Sequence, residues 1–559
     1  MSRARYGLLT TALRLTQGRR YKRLLNDAKA PLAVQEALLR RILAHNAGTE
    51  FGQRHGFHRI TNLAEYRQAV PLHIYEDLRP LIERQEATGE RCLTAAQPVY
   101  YNRTSGTGGA PKNIPITATS LRRLKNDQQL SAYIWSLGSR VLEGRTFAIS
   151  GPAVEGWMAG GTPFGSASGL LYRSQSRFVR SRCVLAPELS DVEDYDARYL
   201  LMAIGGLAEP RVTLMATANP STFLQLLSVV DRNLDTILEA IATGHPPDGL
   251  GCSAAGIDAP EPRPRRAREL AELAAAGPLR YADIWPGLRG VMTWTGGSCG
   301  VALGGLSDLL PDGARIIELG YAASEFRGTI NLDVRRNVCL PVLSIVFFEF
   351  ARRAEWEAGT AELCGLEELE EGCEYYVFAT TPDGLYRYDI NDIVRVTGRV
   401  HETPTLEFVQ KGAGVTNITG EKLTEGQVLE AVRSALPGRG VRPDFFIMIA
   451  HEDTAGYTLF VEAGGRIGAA DLAESVDERL CASNIEYRAK RRSGRLAPVA
   501  LRQLRSGTGD RYRASCVASG QRDAQFKYLH LQYARECRFD FAGAVVTEAD
   551  GGSGWADAY

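Results

Sequence analysis

The chain has 559 residues, of which 44% are hydrophobic and 23% are charged, as in ordinary folded proteins. Basic and acidic residues number 65 each, and the resulting net charge of zero argues against a protein dedicated to nucleic acids or anionic membranes. At about 150 residues per domain, this length corresponds to roughly three or four domain-sized units. No apolar run approaches the ~18 residues of a spanning helix, so we expect no membrane partner.

The N-terminus and the cysteines predict a cytoplasmic protein. The N-terminal apolar run is short and interrupted by Arg14, and no cleavage site of small residues follows it. The ten cysteines are scattered, and none has the spacing of a zinc site. We therefore expect reduced thiols in a reducing compartment.

Predicted helices come first along the chain, and an alternating pattern follows them. Apolar residues at positions 34, 38, 39, 42 and 43 share one helix face. From about Tyr100 the pattern alternates, with buried strands at 146–150 and 212–216 and a helix at 221–231. This alternation predicts an α/β core whose sheets are covered by helices. The Pro- and Arg-rich stretch 258–268 is expected to form a surface excursion from that core.

Strands return in the second half of the chain. Four of them are predicted at 290–295, 316–319, 344–350 and 406–409. The turn Pro382-Asp383-Gly384 predicts a hairpin between strands 375–381 and 385–388. We place the main domain boundary in the glycine-containing stretch 411–417.

The region after this boundary predicts a small α+β domain. Thr424 and Gln427 have the spacing of a capping box, and the helix that they open is stopped by Pro437-Gly438. The elements that follow are strands 445–450 and 457–463, a helix at 471–482 and a strand at 499–504. The predicted organisation is a large N-terminal domain 1–411, a hinge 412–418, a smaller mobile C-terminal domain 419–545 and a disordered tail 546–559.

The segment from Thr104 to Lys112 carries the strongest chemical signal. Hydroxyl and glycine residues crowd its first six positions: Thr104, Ser105, Gly106, Thr107, Gly108 and Gly109. Glycines let backbone N–H groups approach an anion, hydroxyls donate to phosphate oxygens, and Lys112 adds a compact charge that arginine cannot replace. The segment is not a Walker A loop, because Pro111 occupies its second glycine position. It predicts a phosphate-binding loop, with a plain polar loop as the alternative.

Three weaker segments could complete a nucleotide site. Tyr321 could cover a planar base and Glu325 could hold Mg²⁺ near phosphates, although Ser324 could instead cap a helix. In segment 385–392, a carboxylate could accept both ribose hydroxyls, or the charges could form a surface ion-pair cluster. Lys422 follows the predicted boundary and could enter or leave a site as the small domain turns.

In order and spacing, these segments resemble the plant auxin-responsive acyl-acid–amido synthetase family, which conjugates hormones such as jasmonate and indole-acetate to amino acids. That family belongs to the acyl-adenylate-forming enzymes. The resemblance covers nearly the whole chain, through segments 46–52, 70–77, 104–115, 321–325, 348–350, 386–392 and 525–527. It implies a large α/β domain with a mobile smaller one, ATP and Mg²⁺ as cofactors, a small carboxylic acid and an amine or amino acid as substrates, and no obligate protein partner.

The resemblance also implies roles for individual residues. The nucleotide-binding residues would be Thr104, Ser105, Gly106, Thr107, Gly108, Tyr321, Ser324 and Asp392, with Asp392 on the ribose. Glu325 takes the magnesium position. Lys112, Lys422 and Lys527 are the implied catalytic lysines, and Lys422 reaches the phosphates from the C-terminal domain. We expect a loop made of Thr295, Gly296, Gly297 and Ser298 to line the acyl pocket.

Four residues depart from the family pattern. The family usually has serine where Ala323 stands and glycine where Asn391 stands. Leu529 and His530 replace a Pro-Arg pair, which leaves the acceptor of the second half-reaction open. We predict a bacterial-type relative that activates a carboxylic acid as acyl-AMP and transfers it to an amine.

Three alternative functions remain. The acceptor could be coenzyme A or another thiol, or the chain could bind nucleotide without catalysis. A serine hydrolase is also possible, because Ser298 lies in a G-x-S-x-G pattern after a strand, and Asp392 and later histidines follow in α/β-hydrolase order. Against the hydrolase, Gly304 and Gly305 are expected to weaken the helix that should follow the serine.

Overall fold

The structure, a computed structural model, describes residues 3–104, 111–175, 177–192, 194–247, 250, 261–296, 299–412, 414–435, 443–464, 469–518 and 528–546. The chain forms two compact units, the first containing Lys112–Val409 and the residues up to Thr104, the second beginning at Gln410. Among the described helices, none combines the length and apolar character needed to cross a bilayer. The predicted limits of domains, hinge and tail stay predictions, and the tail after residue 546 lies outside the described part.

Helices form the start of the first unit and then cover its sheets. They are α1 (Arg3–Asp27), α2 (Pro31–Asn46), α3 (Glu50–Arg54), α4 (Leu63–Ala69), α5 (Tyr75–Thr88), α6 (Ala118–Gly138), α7 (Ala167–Arg173), α8 (Arg177–Arg180), α9 (Tyr195–Ala208), α10 (Ser221–Arg232), α11 (Leu234–Thr243), α12 (Pro264–Ala275), α13 (Tyr281–Ile284), α14 (Cys299–Ser307) and α15 (Arg353–Glu357). The helix predicted from positions 34–43 is confirmed as α2, which buries Leu38, Leu39, Ile42 and Leu43 on one face.

The strands of the first unit form three four-stranded sheets and one strand pair. In chain order they are β1 (Pro98–Thr104), β2 (Lys112–Thr117), β3 (Arg145–Ala148), β4 (Gly156–Trp157), β5 (Pro163–Gly165), β6 (Val212–Ala216), β7 (Gly290–Thr293), β8 (Arg315–Glu318), β9 (Thr329–Asn331), β10 (Cys339–Pro341), β11 (Phe347–Arg352), β12 (Glu374–Thr380), β13 (Tyr388–Val400) and β14 (Thr403–Lys411). The sheet orders are β2-β1-β5-β4, β3-β6-β7-β8 and β11-β12-β13-β14, and β10 pairs with β9.

The sheet β3-β6-β7-β8 is entirely parallel, which is usual for the helix-covered sheets that the alternating pattern predicts. Its core contains Phe147, Val291 and Trp285, which pack with the apolar faces of the surrounding helices. A second core joins α2 and α5 to the antiparallel sheet β11-β12-β13-β14. The predicted α/β class is therefore confirmed.

The stretch predicted as a surface excursion is partly a buried helix. Residues 251–260 lie outside the described part, but α12 begins at Pro264, a residue that suits a first helical turn. The Arg266 side chain is buried, and it donates from Nε to Leu207 O at 2.9 Å and from a terminal nitrogen to Ile284 O at 2.7 Å. These carbonyls satisfy the guanidinium, so the surface prediction is wrong for Arg266 and Ala267, while Pro264, Arg265 and Arg268 are exposed.

The predicted hairpin after residue 374 is confirmed in its pairing but not in the start of its second strand. Strand β12 pairs antiparallel with β13, which begins at Tyr388 and not at Leu385. The turn is closed by Thr381 N, which donates to Leu385 O at 2.8 Å. Arg387 has a φ of 44°, and this left-handed conformation interrupts the extended backbone before Tyr388.

The second unit is a mixed sheet with helices. Its elements are β15 (Val415–Thr416), β16 (Leu423–Thr424), α16 (Glu425–Ala435), β17 (Pro443–His451), β18 (Gly456–Ala463), α17 (Ala469–Ser483), α18 (Ile485–Arg492), β19 (Ala500–Leu504), α19 (Thr508–Ala518) and β20 (Leu531–Tyr533). The strand order is β19-β18-β17-β20, and β15 pairs with β16. The predicted capping box is confirmed, because Gln427 N donates to Thr424 Oγ1 and Thr424 N donates to Gln427 Oε1.

Candidate active site

The hairpin of β1 and β2 carries the predicted phosphate loop at its end. Thr104 is paired with Lys112 as the last partners of the two antiparallel strands. Ser105, Gly106, Thr107 and Gly108, in the connection between them, lie outside the described residues. The described hairpin therefore fixes where the loop starts and ends, and its phosphate-binding role stays a prediction.

The hydroxyl of Tyr388 links two predicted site residues. Lys112 Nζ donates to Tyr388 Oη at 3.2 Å, and Tyr388 Oη donates to Glu325 Oε1 at 3.4 Å. Tyr388 is fully buried and Glu325 is 9% exposed. Burial raises the pKa of Tyr388 well above its ordinary value of 10.0, with a further contribution from Glu325, so the hydroxyl keeps its proton.

Sequence reasoning missed Tyr388, although it lies within the segment that suggested the ribose carboxylate. A tyrosine in a strand has the ordinary explanation of core packing, and the sequence holds no sign that its hydroxyl faces two charged side chains. The signal available was its place at the start of a strand that also carries Asp392.

The segment 70–77, one of those that carry the family resemblance, holds this arrangement in place. His73 N donates to Arg387 O at 3.0 Å, and Asp389 N donates to His73 O at 2.8 Å, so His73 pairs with Tyr388 like a short parallel strand. Tyr75 Oη accepts from Asn113 N at 2.7 Å and donates to Asn113 O at 3.1 Å. The segment thus contacts the backbone directly beside both Lys112 and Tyr388.

Asp392, the predicted ribose ligand, is buried beside Tyr321. Tyr321 Oη donates to Asp392 Oδ2 at 2.8 Å, and its ring lies parallel to that of Phe408 with centroids 6.0 Å apart. Burial raises the pKa of Tyr321 well above its ordinary value, and the Asp392 carboxylate adds to this effect. Two of the predicted nucleotide residues are therefore in direct contact.

Asp392 lies in a bulge of β13. Tyr376 is opposite Ile393 while Phe378 is opposite Asp389, so three residues of β13 face a single residue of β12. Within it, Asn391 has a φ of 55°, and its N–H donates to Asp389 Oδ1 at 2.7 Å. Left-handed backbone favours glycine and tolerates asparagine, which explains how Asn391 can stand where the family usually has glycine.

Ser324 does not cap a helix. Residues 319–331 are all described, and the segment is a turn in which Ala322 bridges to Arg327 and no helix begins. The backbone oxygen of Ser324 accepts from Asn102 Nδ2 at 2.7 Å. The helix-cap alternative is therefore wrong, and the contact joins the turn that carries Glu325 to strand β1.

The carboxylate of Glu318 anchors the loop predicted to line the acyl pocket. Thr295 donates to Glu318 Oε2 from its backbone N at 2.6 Å and from its hydroxyl at 2.5 Å, and Gly320 N donates to Oε1 at 2.8 Å. Burial raises the pKa of Glu318. Sequence reasoning gave Glu318 no role, although it ends strand β8 directly before the nucleotide segment.

Gly296 lies against the backbone of strand β14. A Cβ atom at this position would approach Phe408 O to 2.1 Å, so a larger residue requires a backbone shift. Gly297 and Ser298 lie outside the described residues. Helix α14 (Cys299–Ser307) follows all the same, so Gly304 and Gly305 do not prevent a helix at this position.

The charges in segment 385–392 are not a surface cluster. Arg387 forms a two-fold ion pair with the buried Glu349, at 2.9 Å and 3.2 Å. Arg67 reaches the same carboxylate at 2.8 Å, and Arg387 also donates to Val70 O at 2.8 Å. Removal of one partner from such a buried pair leaves an uncompensated charge, which gives Arg387 a structural role.

In the second unit, Lys422 lies in a tightly bonded turn. Its φ is 46°, and its N–H donates to Asn417 Oδ1 at 3.3 Å. The buried carboxylate of Glu421 accepts from the backbone N–H groups of Ile418 and Thr419, at 2.6 Å and 2.7 Å. Asn484 Nδ2 donates to Glu421 O at 2.9 Å. These bonds fix the backbone from which the Lys422 side chain extends.

His530, at a position where the family has another residue, is tied to the sheet of the second unit. Its Nδ1 lies 2.7 Å from Phe446 O, and its own carbonyl accepts from Met448 N at 2.9 Å. Glu425 Oε1 accepts from His530 N. Lys527, the third predicted lysine, lies outside the described residues.

The predicted metal position rests on one carboxylate. Among the described residues, no group of three or more His, Cys, Asp or Glu side chains could hold a metal ion. Mg²⁺ in nucleotide enzymes is commonly held by one or two carboxylates together with substrate phosphates. Glu325 alone therefore fits an ion that arrives with its nucleotide, and does not fit a resident metal centre.

Comparison with known families gives matches along most of the chain. The GH3 family N-terminal domain matches residues 20–312, the central domain residues 339–411 and the C-terminal domain residues 427–536. The chain is 23% identical over 547 residues to the 4-substituted benzoates-glutamate ligase GH3.12 of Arabidopsis thaliana, with 89% of this chain and 92% of the relative covered. It is 27% identical over 575 residues to the probable indole-3-acetic acid-amido synthetase GH3.12 of Oryza sativa subsp. japonica, covering 88% and 90%.

Solved structures show the same fold. GH3.15 acyl acid amido synthetase superposes with a TM-score of 0.64 at 21% identity, over 96% of this chain and 97% of that protein. 2-Hydroxyisobutyryl-CoA ligase, in complex with 2-HIB-AMP and CoA, superposes with a TM-score of 0.53 at 14% identity, over 90% and 91%. This chain therefore shares its fold with these two enzymes.

Proposed function

This chain belongs to the GH3 family, and we propose from that premise that it is an ATP-dependent ligase that joins a small carboxylic acid to an amine. The carboxylate attacks the α-phosphorus of ATP, forming an acyl-adenylate and releasing pyrophosphate. The amine then attacks the acyl carbon, forming an amide and releasing AMP and a proton. An amino acid is the proposed amine, since one relative named above is a benzoates-glutamate ligase.

The observation that carries the proposal is the contact of Lys112 and Glu325 with one buried hydroxyl, that of Tyr388. A carboxylate resists attack because it is anionic and lacks a good leaving group, so activation by phosphate is the chemistry that the site must support. That step needs positioned positive charge around phosphorus and no protein nucleophile. An ammonium and a carboxylate beside the end of a Gly- and Ser/Thr-rich loop fit this need.

Each residue has a proposed part in adenylation. Lys112 neutralises phosphate charge, assisted by the loop residues Ser105–Gly108, and Glu325 would hold the Mg²⁺ that accompanies the nucleotide. Bound Mg²⁺ would supply neutralisation of the phosphate oxygens. Asp392 accepts the ribose hydroxyls, and Tyr321 keeps its carboxylate oriented through the 2.8 Å hydrogen bond. Tyr388 is a positioning residue, since it acts through Lys112 and Glu325.

The second unit is proposed to contribute Lys422 to adenylation and Lys527 to the later step. The loop of Thr295 to Ser298 is proposed to line the acyl pocket, supported by its attachment to Glu318 and Phe408 beside Tyr321. We also propose a cytoplasmic location, which the scattered cysteines support. A bacterial-type origin is proposed because arginine greatly outnumbers lysine, as in proteins from GC-rich genomes.

Two rival functions make different predictions. A thiol acceptor such as coenzyme A would use the same first half-reaction. The structural similarity to a CoA ligase supports this alternative acceptor. A hydrolase that uses Ser298 would need Asp392 to orient a histidine, whereas Asp392 accepts a hydrogen bond from Tyr321.

The test is a pyrophosphate-release screen of carboxylic acids with ATP and Mg²⁺, with products identified by mass. We expect AMP and pyrophosphate in equal amounts, and an amide when amino acids are added. ADP with inorganic phosphate would instead indicate an acyl-phosphate route and would overturn the proposal. A thioester product with coenzyme A and no amide would favour the rival acceptor.

A further inference from the structure

Helix α1 (Arg3–Asp27) packs against the first unit by one face only. Tyr6 Oη donates to Ser139 O at 3.0 Å, and the Tyr21 ring meets Tyr133 edge to face with centroids 5.8 Å apart. Leu13 and Leu24 belong to the same side and pack into the cluster around α6. The opposite face of α1 is open to solvent.

That open face displays apolar side chains. Leu8 is 71% exposed and Leu15 is 78% exposed, the two highest values among the large apolar side chains that the structure describes. They are seven residues apart, which places them two turns apart on one face of a helix. In the described structure, leucines so arranged leave most of their apolar surface in contact with solvent.

The same helix concentrates positive charge. Residues 3–27 contain seven basic residues and one acidic residue, although the whole chain has a formal net charge of zero. At 3.6 residues per turn, Arg19, Lys22 and Arg23 lie on the side of Leu8 and Leu15, and the Arg23 side chain is 76% exposed. The zero net charge that argued against a membrane partner therefore conceals a strongly basic local surface.

We propose that this face of α1 binds the surface of an anionic lipid bilayer, with the helix lying in the plane of the headgroups. Leucines inserted at the acyl boundary and cations at the phosphate level are the pattern of helices that lie on membranes. A nucleic acid would bind the cations but would not bury the exposed leucines. Binding of an acidic protein or of a second copy of the chain to this face is an alternative result of the test. Both leucines precede residue 20, where the family match begins, whereas Lys22 and Arg23 lie within it.

The test is sedimentation of the full chain with vesicles of phosphatidylcholine alone or mixed with phosphatidylglycerol. We expect binding to the anionic vesicles at low salt and its loss at high salt. The variant Leu8→Ser/Leu15→Ser should lower the partition coefficient about tenfold or more, because two inserted side chains are lost. Arg19→Gln/Lys22→Gln/Arg23→Gln should lower it about fivefold for each charge removed.

Matched controls keep the outcome interpretable. Ile485→Ser removes an apolar side chain that is 59% exposed in the second unit, and Arg265→Gln/Arg336→Gln/Arg479→Gln removes the same charge from scattered exposed positions. Both should bind vesicles like the wild type. Ligase activity without vesicles should be equal in all variants, which separates this proposal from the proposed function.

Three results would overturn the proposal. One is a wild-type chain that ignores anionic vesicles at low salt. Another is equal vesicle binding by the α1 variants and their controls. The third is a dimer, detected by light scattering, that Leu8→Ser/Leu15→Ser converts to a monomer without any vesicle binding, which would assign the face to a second copy.

Discussion

The hydroxyl of Tyr388 is hydrogen-bonded to both the ammonium of Lys112 and the carboxylate of Glu325. Tyr386, two residues earlier, is equally buried, but its hydroxyl donates to a backbone oxygen, Leu93 O, at 2.7 Å. The hydroxyl of Tyr388 therefore contacts two predicted site residues, whereas the hydroxyl of Tyr386 contacts only a backbone oxygen among the bonds described.

We predict that Tyr388→Phe lowers the rate of pyrophosphate release about 10–100-fold, the usual effect of removing a group that orients metal or phosphate ligands. The Mg²⁺ concentration needed for half-maximal activity should rise as well. Tyr386→Phe removes an equally buried hydroxyl and should leave the Mg²⁺ requirement unchanged. Equal changes in the two variants would contradict a positioning role for Tyr388.

Asp392 is expected to act directly on the nucleotide. We predict that Asp392→Ala raises the KM for ATP while the fold stays intact, because each lost hydrogen bond to the charged carboxylate costs about 1.5–3 kcal/mol. Tyr321→Phe keeps the carboxylate and removes only its orienting bond, so its effect should be smaller. Wild-type affinity for ATP in Asp392→Ala, measured by calorimetry, would refute the ribose assignment.

At the scale of elements, the surroundings of two glycines predict opposite effects on stability when each is replaced by alanine. Gly296→Ala should lower the melting temperature and the activity, because its Cβ would lie 2.1 Å from Phe408 O. Gly304→Ala, in helix α14 with open space around it, should raise the unfolding free energy by about 0.5–1 kcal/mol. Thermal and urea unfolding of both variants provide the measurement.

The burial of His73, which pairs with Tyr388, predicts that the stability of the chain depends on pH. Burial lowers the pKa of His73 below its ordinary value of 6.5, so the unfolded chain binds the proton first as the pH falls. The contribution of neutral His73 is complete above pH 6.5 and is lost progressively as the pH falls towards the folded pKa. The unfolding free energy, measured by urea unfolding at several pH values, should therefore fall less steeply with acid in His73→Asn than in wild type.

Elements were predicted better than the contacts of their side chains. Strand β6 and the α/β class follow from the alternation of buried strands and helices, and the capping box of Thr424 follows from spacing alone. The burial of Arg266 was missed because composition cannot show that the carbonyls of Leu207 and Ile284 lie where they accept hydrogen bonds from its guanidinium. Tyr388 and Glu318 were missed for the same reason, since their importance arises from partners distant in sequence.

At the scale of the whole molecule, the predicted lysines belong to different units. Lys112 lies in the first unit and Lys422 in the second. The family resemblance and the fold class are confirmed by the GH3 matches and the structural neighbours, because both rest on many residues in order. The roles of the lysines stay predictions, because a role depends on where ATP binds.

We predict that Lys422 serves adenylation and not the later transfer. Lys422→Ala should lose ATP-dependent amide formation about 10²–10³-fold, the usual effect of removing a preorganised charge donor. When synthetic acyl-adenylate is supplied with the amine, the variant should form amide at the wild-type rate. Lys29→Ala, at an exposed position before α2, is the control. An equal loss in both assays would favour a structural role for Lys422 in its turn.

The left-handed backbone at Asn391 restricts how the genes of this family can diverge at that position. A glycine codon reaches an asparagine codon in two single-base changes, and one of the two routes passes through aspartate. Aspartate and asparagine enter the left-handed region at small cost, whereas β-branched residues do not. Glycine, aspartate and asparagine should therefore interchange at position 391 over evolutionary time, and the neighbouring Asp392 can stay under separate selection for its chemistry.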